Sequence, residues 1–255
     1  MPEKSHDTIV QRQFGQQAHA YLESAVHAQG EDLERMVHVI GPRPGARALD
    51  LGCGGGHVAF RLSALVEEVV AYDLSHAMLG VVAAEATRRG LNNLTTRRGF
   101  VEALPFPDAS FDVVASRYSA HHWRDFAAGL AEARRVLKPD GLAVWADVVS
   151  PDSPLLDSWL QTLELLRDPS HVRNYSVRQW SQAARAAGFL PRDACLFRVR
   201  LEFTAWVERM KTPEAHVLAI RSLQARASEE VSRHFGIESD GSFTLDSMLM
   251  CAEAG

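Results

Sequence analysis

The glycine-rich stretch at residues 48–56 is the feature that most constrains how this chain can fold. It reads Ala-Leu-Asp-Leu-Gly-Cys-Gly-Gly-Gly, and helix-like sequence follows from His57 to Leu65. The first half is short and apolar and follows Pro44 and Gly45, which predicts a buried strand. Glycine allows a sharp turn and lets a ligand lie against the backbone. A strand, a glycine-rich turn and a helix N-terminus in this order predict the ligand-binding corner of a doubly wound α/β sheet.

The spacing of these glycines distinguishes two classes of ligand. A dinucleotide-binding G-x-G-x-x-G motif would place its last glycine at position 57, but that residue is His57 and the glycine is Gly56. Asp50 would also add negative charge beside a pyrophosphate, whereas it suits a ligand that carries cationic groups. The stretch resembles the D-x-G-x-G-x-G motif of class I S-adenosylmethionine (SAM) methyltransferases. The resemblance implies that the cofactor contacts are Asp50, Gly52, Cys53, Gly54 and Gly56.

Composition narrows the class of protein further. With 46% hydrophobic residues, 23% charged residues and a net charge of -5, the chain has no electrostatic footprint for nucleic acid. It has no apolar run of the roughly 20 residues that a membrane span needs, and residues 1–7 lack the apolar core of a signal peptide. Three widely separated cysteines indicate neither a disulfide framework nor a metal site. We therefore expect a cytoplasmic protein that binds neither nucleic acid nor membrane.

A second strand is predicted at residues 69–73, and it ends in the carboxylate of Asp73. This acid lies 21 residues beyond Gly52, and acids at a spacing of about 20 residues bind ribose hydroxyls in dinucleotide-binding folds. Asp73 and its neighbour Leu74 are therefore predicted cofactor contacts. Ser75 is a predicted N-cap of a helix that runs to Arg89. Met78, one turn into that helix, can reach the adenine face, although a methionine there is more often part of the core.

A third strand, predicted at residues 94–98, leads into Gly-Phe-Val-Glu-Ala-Leu-Pro-Phe and then Ser-Phe-Asp at residues 110–112. This segment resembles the adenine-binding segment of the methyltransferases, which implies contacts from Phe100, Val101 and Glu102. The family usually has Asp or Asn at the position of Phe100, where it accepts a hydrogen bond from the adenine amino group. Phenylalanine cannot accept that bond, so the adenine contact here depends on the Val101 N–H and on packing.

The fourth predicted strand, residues 111–116, runs into Arg117 and then His121-His122-Trp123. Ligands of open α/β sheets bind beyond the carboxyl ends of the strands, so Arg117 is a predicted cofactor contact and the histidines should border the methyl group. The His-His-Trp sequence resembles the type 11 branch of the family. Either histidine could be a general base, with His122 favoured over His121; the alternative is that both only shape the pocket. The Asn/Asp-Pro-Pro-Tyr motif of amino-group methyltransferases is absent.

Residues 8–40 have the pattern of helices. The piece from Gln13 to Tyr21 resembles a segment that precedes the core in the type 11 branch and folds over the cofactor. The resemblance implies that Phe14 and Tyr21 lie near the methionine end of SAM, Tyr21 as a cofactor contact and Phe14 on the acceptor side. Simple helix packing is the alternative for either residue.

Residues 152–175 follow the fifth strand and should cover the same edge of the sheet. Their polar, aromatic end supplies the predicted acceptor contacts, which are His171, Arg173, Asn174 and Tyr175. Arg173 can hold a carboxylate or phosphate through paired donors; its alternative role is an ion pair with a surface acid such as Asp168.

The order of predicted elements gives the fold class. A turn at residues 137–141, a fifth strand at 142–148 and a last strand at 243–251 complete a doubly wound, Rossmann-like, mostly parallel sheet. The family resemblance implies seven strands in the order 3-2-1-4-5-7-6, with the last strand antiparallel. We expect one domain over residues 1–255, with a helical N-terminal lid (1–45), a SAM-binding core (46–150) and substrate-side helices and final strands (151–255).

The predicted activity is methyl transfer from SAM to a small-molecule acceptor by in-line displacement, without a metal. Carbon, oxygen, nitrogen and sulfur are all open as acceptor atoms, and the oligomeric state is open too. A SAM-binding regulator without transfer activity is one alternative. A nicotinamide-dependent dehydrogenase is a further alternative, disfavoured by the glycine spacing.

Overall fold

Eight strands form one open sheet in the computed structural model, which describes residues 5–15, 30–192 and 194–255. The strands are β1 (Arg43–Leu51), β2 (Val66–Asp73), β3 (Leu94–Arg98), β4 (Phe111–Arg117), β5 (Leu137–Val149), β6 (Phe189–Pro191), β7 (Cys195–Leu201) and β8 (Phe243–Ala254). Their order across the sheet is β3-β2-β1-β4-β5-β8-β6, and β7 also pairs with β8. Strands β1 to β5 are mutually parallel, and β8 runs antiparallel to β5, β6 and β7.

Helices connect most of these strands. They are α1 (His6–Gly15), α2 (Glu31–Ile40), α3 (His57–Leu62), α4 (His76–Arg89), α5 (Phe126–Val136), α6 (Pro154–Arg167), α7 (Val177–Ala186), α8 (Phe203–Arg209), α9 (Glu214–Ala225) and α10 (Glu229–Phe235). No helix in the described ranges is long and apolar enough to cross a membrane. The predicted cap Ser75 accepts the backbone N–H of Met78 at the start of α4, and Asp125 accepts that of Ala128 at the start of α5.

The central strands are buried on both faces, as parallel strands usually are. Side chains alternate between the faces, so Val70 and Tyr72 belong to one hydrophobic cluster and Val69 and Ala71 to the other. Helices α5 and α7 cover the first face, and α2, α3 and α4 cover the second. This double cover leaves the carboxyl ends of β1, β2 and β4 as the place where loops can build a site.

The predicted strand order is confirmed, but the sheet has eight strands instead of seven. Two short strands, β6 and β7, occupy the position expected for the sixth strand, and both pair with β8. The interruption follows Pro191, the last residue of β6, which has no N–H to donate to the ladder. The expected edge strand is thus divided into two after this proline.

Strand β5 begins at Leu137, so the expected turn at residues 137–141 lies within the strand. Leu137 pairs with Phe111, whereas Leu142 is already opposite Val113, so the intervening residues bulge out of the ladder. A Cβ on Gly141 would lie 2.6 Å from a methyl carbon of Leu137. Glycine therefore allows the bulge to fold back onto the strand start.

The predicted helical segments at both ends of the chain are present in the described residues. Helix α1 packs on α4, and residues 16–29, which include Tyr21, lie outside the described part of the chain. Helices α8, α9 and α10 lie between β7 and β8 in the chain. With α6 they enclose a third hydrophobic cluster, in which Trp206 contacts Phe243 edge to face.

Candidate active site

The glycine loop after β1 adopts a backbone that favours glycine. Gly52, Gly54 and Gly56 all have positive φ, at 73°, 49° and 81°. The N–H of Gly52 donates to the Tyr72 carbonyl oxygen at 2.8 Å, which ties the loop to the end of β2. A Cβ on Gly52 would lie 1.9 Å from Ser119 Oγ, whereas one on Gly54 would meet no atom within 4 Å. Gly52 is therefore needed for packing, and Gly54 leaves its backbone open to the space above.

Two ionisable side chains, Asp50 and Cys53, belong to the end of β1 and to this loop. Asp50 is buried, and its Oδ2 accepts the N–H of Ala59 in the first turn of α3 at 2.9 Å. Burial raises the pKa of Asp50 to about 7, against the opposing effect of the Ala59 hydrogen bond. Burial and the neighbouring Asp73 raise the pKa of the Cys53 thiol well above its ordinary value. Cys53 is therefore a neutral lining residue rather than a nucleophile.

Asp73 holds the glycine loop and the start of α4 through its two carboxylate oxygens. Oδ2 accepts the Gly54 N–H at 2.9 Å and Oδ1 accepts the Ser75 N–H at 2.7 Å. Burial raises the pKa of Asp73, and these backbone hydrogen bonds oppose that rise. The geometry fixes the carboxylate at the crossing from β2 to α4, directly beside Gly54.

A cavity opens over the carboxyl ends of β1, β2 and β4, and we call it the glycine-loop cavity. It encloses about 1030 Å³ of empty space, including its open mouth. The predicted site residues that line it are Phe14, Asp50, Gly52, Cys53, Gly54, Asp73, Leu74, Met78, Phe100, Val101, Glu102, Arg117 and His122. Gly56 does not line it; a Cβ there would contact Phe60 and Val82 at 2.9 Å, so this glycine allows α3 and α4 to approach.

The predicted adenine segment forms one wall of this cavity. The Tyr72 hydroxyl donates to the Phe100 carbonyl oxygen at 3.1 Å, which anchors the segment, while the Phe100 side chain remains 41% exposed. Glu102 Oε1 accepts the Asp125 N–H at 3.2 Å. Met78 is buried, and Phe14 of α1 packs against it. The wall therefore combines an apolar surface with a backbone that is held in place.

Arg117 reaches the same cavity from the end of β4. Its guanidinium donates two hydrogen bonds to the Asp32 carboxylate, at 2.5 and 3.0 Å, and both side chains are buried. Asp32, which lies in the first turn of α2, was not among the residues predicted from the sequence. A carboxylate in an otherwise apolar helix face, next to Leu33 and Met36, was the available signal.

His121 and His122 follow β4 in a short 3₁₀ turn, but their surroundings differ. His121 Nδ1 lies 2.6 Å from Oδ1 of the buried Asp147. Burial lowers the pKa of His121, and the charge and hydrogen bond of Asp147 outweigh it, so the pKa is raised above its ordinary value. His122 Nδ1 lies 3.0 Å from the Ser170 carbonyl oxygen, and burial together with His121 lowers its pKa to about 4. Near neutral pH His122 is therefore uncharged.

A second cavity lies beyond the histidines, between the sheet and the C-terminal helices, and we call it the interhelical cavity. It encloses about 730 Å³ of empty space, including its open mouth. Phe14, Tyr118 and His122 line both cavities. Tyr118 has a positive φ of 51°, a conformation that non-glycine residues seldom adopt. The two cavities therefore meet at a strained tyrosine and a neutral histidine.

Of the predicted acceptor residues between 171 and 175, one lines a cavity and three do not. Asn174 is buried and lines the interhelical cavity. Arg173 donates to Asp157 at 2.6 Å rather than pairing with Asp168, His171 Nε2 lies 2.9 Å from Gln161 Oε1, and Tyr175 stacks on Phe126. These three side chains line neither cavity. The backbone of the loop nevertheless matters, because the N–H of Val172 donates to the His121 carbonyl oxygen at 2.8 Å.

Several residues at the interhelical cavity were not identified from the sequence. Asp147, the partner of His121, lies near the end of the apolar strand β5, and an acid in such a run was the one visible signal. The others come from α6, α8 and the strands beside them: Val148, Glu164, Arg167, Asp168, Val199, Leu201, Trp206, Arg209, Met210 and Leu245. No group of three or more His, Cys, Asp or Glu side chains among the described residues is arranged to hold a metal ion.

Comparisons with known proteins agree with this architecture. The family described as a methyltransferase domain matches residues 49–145. The uncharacterized protein YafE of Escherichia coli is 49% identical over 201 residues, which cover 79% of this chain and 97% of that protein. The uncharacterized methyltransferase YcgJ of Bacillus subtilis is 35% identical over 88% of each chain.

Solved structures show the same relationship. The crystal structure of YcgJ superimposes with a TM-score of 0.84 at 33% identity, covering 88% of this chain and 99% of that one. A putative methyltransferase from Bacillus halodurans also gives 0.84, at 30% identity, covering 88% and 98%. This chain belongs to the class I SAM-dependent methyltransferases, in their type 11 branch.

Proposed function

We propose that this protein binds SAM in the glycine-loop cavity and transfers its methyl group to a small-molecule acceptor. The observation that carries the proposal is that Asp73 and the open backbone of Gly54 face one cavity. The family membership of the chain supports the same cofactor.

Asp73 would bind the ribose hydroxyls. An ionised carboxylate can accept about four hydrogen bonds, and the N–H groups of Gly54 and Ser75 use two of them. The remaining lone pairs suit two neighbouring hydroxyl groups. Because the backbone already holds the carboxylate in place, little conformational entropy is lost when the ribose binds.

The methionine end of SAM would lie along the glycine loop. A Cβ on Gly54 would project into open space, so the missing side chain leaves a surface against which a ligand can lie. Asp50 lines the cavity beside this surface and can face an ammonium group when it is ionised. Cys53 and Arg117 complete the lining. Tyr21, also predicted at this end, lies outside the described residues.

The adenine ring would lie between Leu74, Met78 and the segment that begins at Phe100. Phe100 has no acceptor for the adenine amino group, so its exposed ring would pack on the base while the Val101 N–H donates to a ring nitrogen. Glu102 is engaged with the Asp125 N–H and would shape the wall rather than bind the base.

The chain's contribution to transfer would be orientation in a space that excludes water. Bound SAM supplies a sulfonium methyl group with its own leaving group. The acceptor would approach from the interhelical cavity, past His122, Tyr118 and Phe14, which line both cavities. Holding two reactants collinear in this way can lower the barrier by several kcal/mol. Among the loop residues predicted to contact the acceptor, we retain Asn174, because Arg173 is neutralised by Asp157.

Calorimetry tests the cofactor. We expect SAM and S-adenosylhomocysteine to bind and NAD not to bind. Asp73→Asn should weaken SAM binding by about 1–3 kcal/mol, since it removes a charge-assisted acceptor, whereas Asp108→Asn, at an exposed acid outside the cavity, should not. Binding of NAD without binding of SAM would favour the dehydrogenase instead.

Transfer is measured separately with tritium-labelled SAM and an extract of small metabolites. Label recovered in a small product supports an enzyme. Binding of SAM without any labelled product, over a broad set of extracts, would instead favour the regulator.

A further inference from the structure

Two sets of polar side chains at the interhelical cavity have no role in the proposed SAM binding. In the first, His121 of the cavity lining and the adjacent Asp147 form an imidazole–carboxylate pair. The second is Asn174, which is only 1% exposed and whose Nδ2 has no hydrogen-bond partner among the described residues. A buried donor without a partner is costly, so such groups usually have a ligand or a functional reason.

Asp147 is held rigidly at the end of β5. Its Oδ2 accepts the Ala120 N–H at 2.9 Å, and its Oδ1 accepts both the Val148 N–H at 2.8 Å and the His121 ring at 2.6 Å. A carboxylate can only accept, so His121 carries its proton on Nδ1 and a lone pair on Nε2. That Nε2 has no hydrogen-bond partner within the described part of the chain, and the ring lines the cavity.

The groups that face His121 come from several elements. Asp147, Glu164 and Asp168 are carboxylates, while His122 and His171 are imidazoles with lowered pKa values. The guanidinium groups of Arg167 and Arg209 line the same cavity. Glu164 is paired with Arg167 at 3.2 Å, and Asp168 Oδ1 accepts the Ser170 hydroxyl at 2.6 Å. The adjacent Asp147 carboxylate outweighs the effect of burial and favours a proton on His121.

The remaining walls are apolar. They consist of Val148, Val199, Leu201, Trp206, Met210 and Leu245. Such walls favour an acceptor with an apolar body, and the Asn174 amide needs an oxygen to receive its N–H. A protonated amine offers no acceptor atom to Asn174, whereas a hydroxyl, carbonyl or nitro oxygen does.

From these contacts we infer that the interhelical cavity binds an acceptor with an apolar body, an ionisable phenolic or enolic hydroxyl and a second oxygen. His121 is the base that removes the hydroxyl proton, Asp147 is its positioning residue, and Asn174 binds the second oxygen. This inference rests on the proposed function, since it names the acceptor class of the same site.

The transfer step balances without a further reactant. The hydroxyl proton moves to His121 Nε2, and the freed oxygen lone pair forms a bond to the methyl carbon. The carbon–sulfur bond breaks and its electron pair stays on sulfur. The products are a methyl ether, S-adenosylhomocysteine and a protonated His121, which returns its proton to solvent.

His122 has a different role in this scheme. Its Nδ1–H is directed at the Ser170 carbonyl oxygen, and burial keeps it uncharged. It separates the two cavities and contacts Phe14 edge to face at 4.9 Å. His122 was the base favoured from the sequence, whereas the hydrogen bond to Asp147 makes His121 the better base.

Nitrogen-15 NMR of the histidine rings tests the pair in the full-length protein. A His121→Gln spectrum assigns the His121 resonances. In the wild-type protein we expect His121 to titrate above 6.5 with its proton on Nδ1, and Asp147→Asn should lower that pKa by at least one pH unit. Asp157→Asn, which removes a carboxylate outside both cavities, should leave it unchanged.

Ligand class is tested in the same spectra, with S-adenosylhomocysteine present. The probe is 4-nitrophenol, and the control is 4-nitroanisole, which has the same ring but no ionisable hydroxyl. We expect 4-nitrophenol to shift the His121 ring and to bind at least tenfold more tightly than 4-nitroanisole. Asn174→Leu should weaken 4-nitrophenol at least fivefold.

The wild-type measurements decide the inference even if a variant does not fold. Titration of His121 below 6.5, no response of its ring to 4-nitrophenol at millimolar concentration, or equal binding of the two probes would overturn it. Calorimetry with SAM on the same samples keeps the proposed function separate. Absence of SAM binding would reject that function, whereas normal SAM binding with a failed probe test would reject only the acceptor class.

Discussion

The two cavities that meet at His122 are built in different ways. The glycine-loop cavity is shaped by backbone at the ends of β1, β2 and β4, and its key side chains, Asp50 and Asp73, are held by backbone N–H groups. The interhelical cavity is shaped by side chains from β5, β7, β8, α6 and α8. A cavity made of backbone depends on a few short motifs, whereas one made of side chains depends on how distant segments pack.

The largest change in stability should follow from a substitution in the wall of the interhelical cavity. Trp206 is buried in the third hydrophobic cluster, and Arg167 lies 4.9 Å over its ring. Trp206→Ala should lower the free energy of unfolding by about 3–5 kcal/mol through lost burial and a new void. Urea denaturation measures this, with the exposed Leu218→Ala as the control, where we expect a change within about 0.5 kcal/mol. If folded Trp206→Ala protein lost SAM affinity by more than twofold, the two cavities would not be separable in this way.

Two alanine substitutions in the glycine loop test how the backbone shapes the glycine-loop cavity. Gly52→Ala should cost about 2–3 kcal/mol of folding stability, because positive φ and a contact with Ser119 both oppose a side chain. Gly54→Ala is opposed only by the positive φ, so it should lower stability less than Gly52→Ala does. It should lower SAM affinity more, because its side chain would project into the glycine-loop cavity. Gly80→Ala, in the middle of α4 with open space around it, should be neutral or stabilising. Equal stability losses at Gly52 and Gly54 would contradict this division of roles.

Acid should weaken SAM binding through Asp50. Its pKa of about 7 means that the carboxyl becomes protonated as the pH falls through 7, and the neutral form attracts an ammonium group poorly. We expect the SAM dissociation constant to rise by about tenfold per pH unit below 7 and the dependence to flatten in Asp50→Asn. Calorimetry from pH 5.5 to 8.5 measures both; a steep dependence that persists in Asp50→Asn would assign it to another group, such as Asp73.

The same group should affect the stability of the ligand-free protein in the opposite sense. The folded pKa is raised above the ordinary value of 3.8, so folding favours the protonated form. The stability from Asp50 is therefore fully present below about pH 3.8 and lost as the pH rises through 7. Thermal melts of wild-type and Asp50→Asn protein without SAM should agree below about pH 3.8, separate as the pH rises to 7 and stay apart above it, with the variant more stable there.

The smallest effect concerns the adenine wall. Phe100→Asp introduces the acceptor that the methyltransferase family usually has, and the side chain is exposed, so folding should change by less than about 0.5 kcal/mol. SAM affinity should stay equal or rise by up to about 1 kcal/mol, the net value of one hydrogen bond. A large loss of affinity would mean that packing of the Phe100 ring on the adenine contributes more than the hydrogen bond that the aspartate adds.

Short motifs were enough to predict the backbone-built part of this protein. The glycine spacing, the acid 21 residues after Gly52 and the alternation of strands and helices predicted a doubly wound, mostly parallel sheet, and the family resemblance implied its strand order. They also predicted where the loop and Asp73 meet. This works because parallel strands bring their carboxyl ends to one edge, so a local sequence feature implies a position in space. The extra strand was missed, since a break after Pro191 depends on pairing with β8.

Only the tertiary structure decided how the polar side chains beyond β4 are paired. Asp32 and Arg117 are far apart in the chain, as are His121 and Asp147, and their pairing follows from the docking of α2 on the sheet and from the adjacency of β4 and β5. Arg173 pairs with Asp157 of the preceding helix, and Asn174, unlike His171, Arg173 and Tyr175, lines the interhelical cavity. Residue type and spacing specify what such groups can do, whereas burial and the nearest opposite charge determine which of them does it.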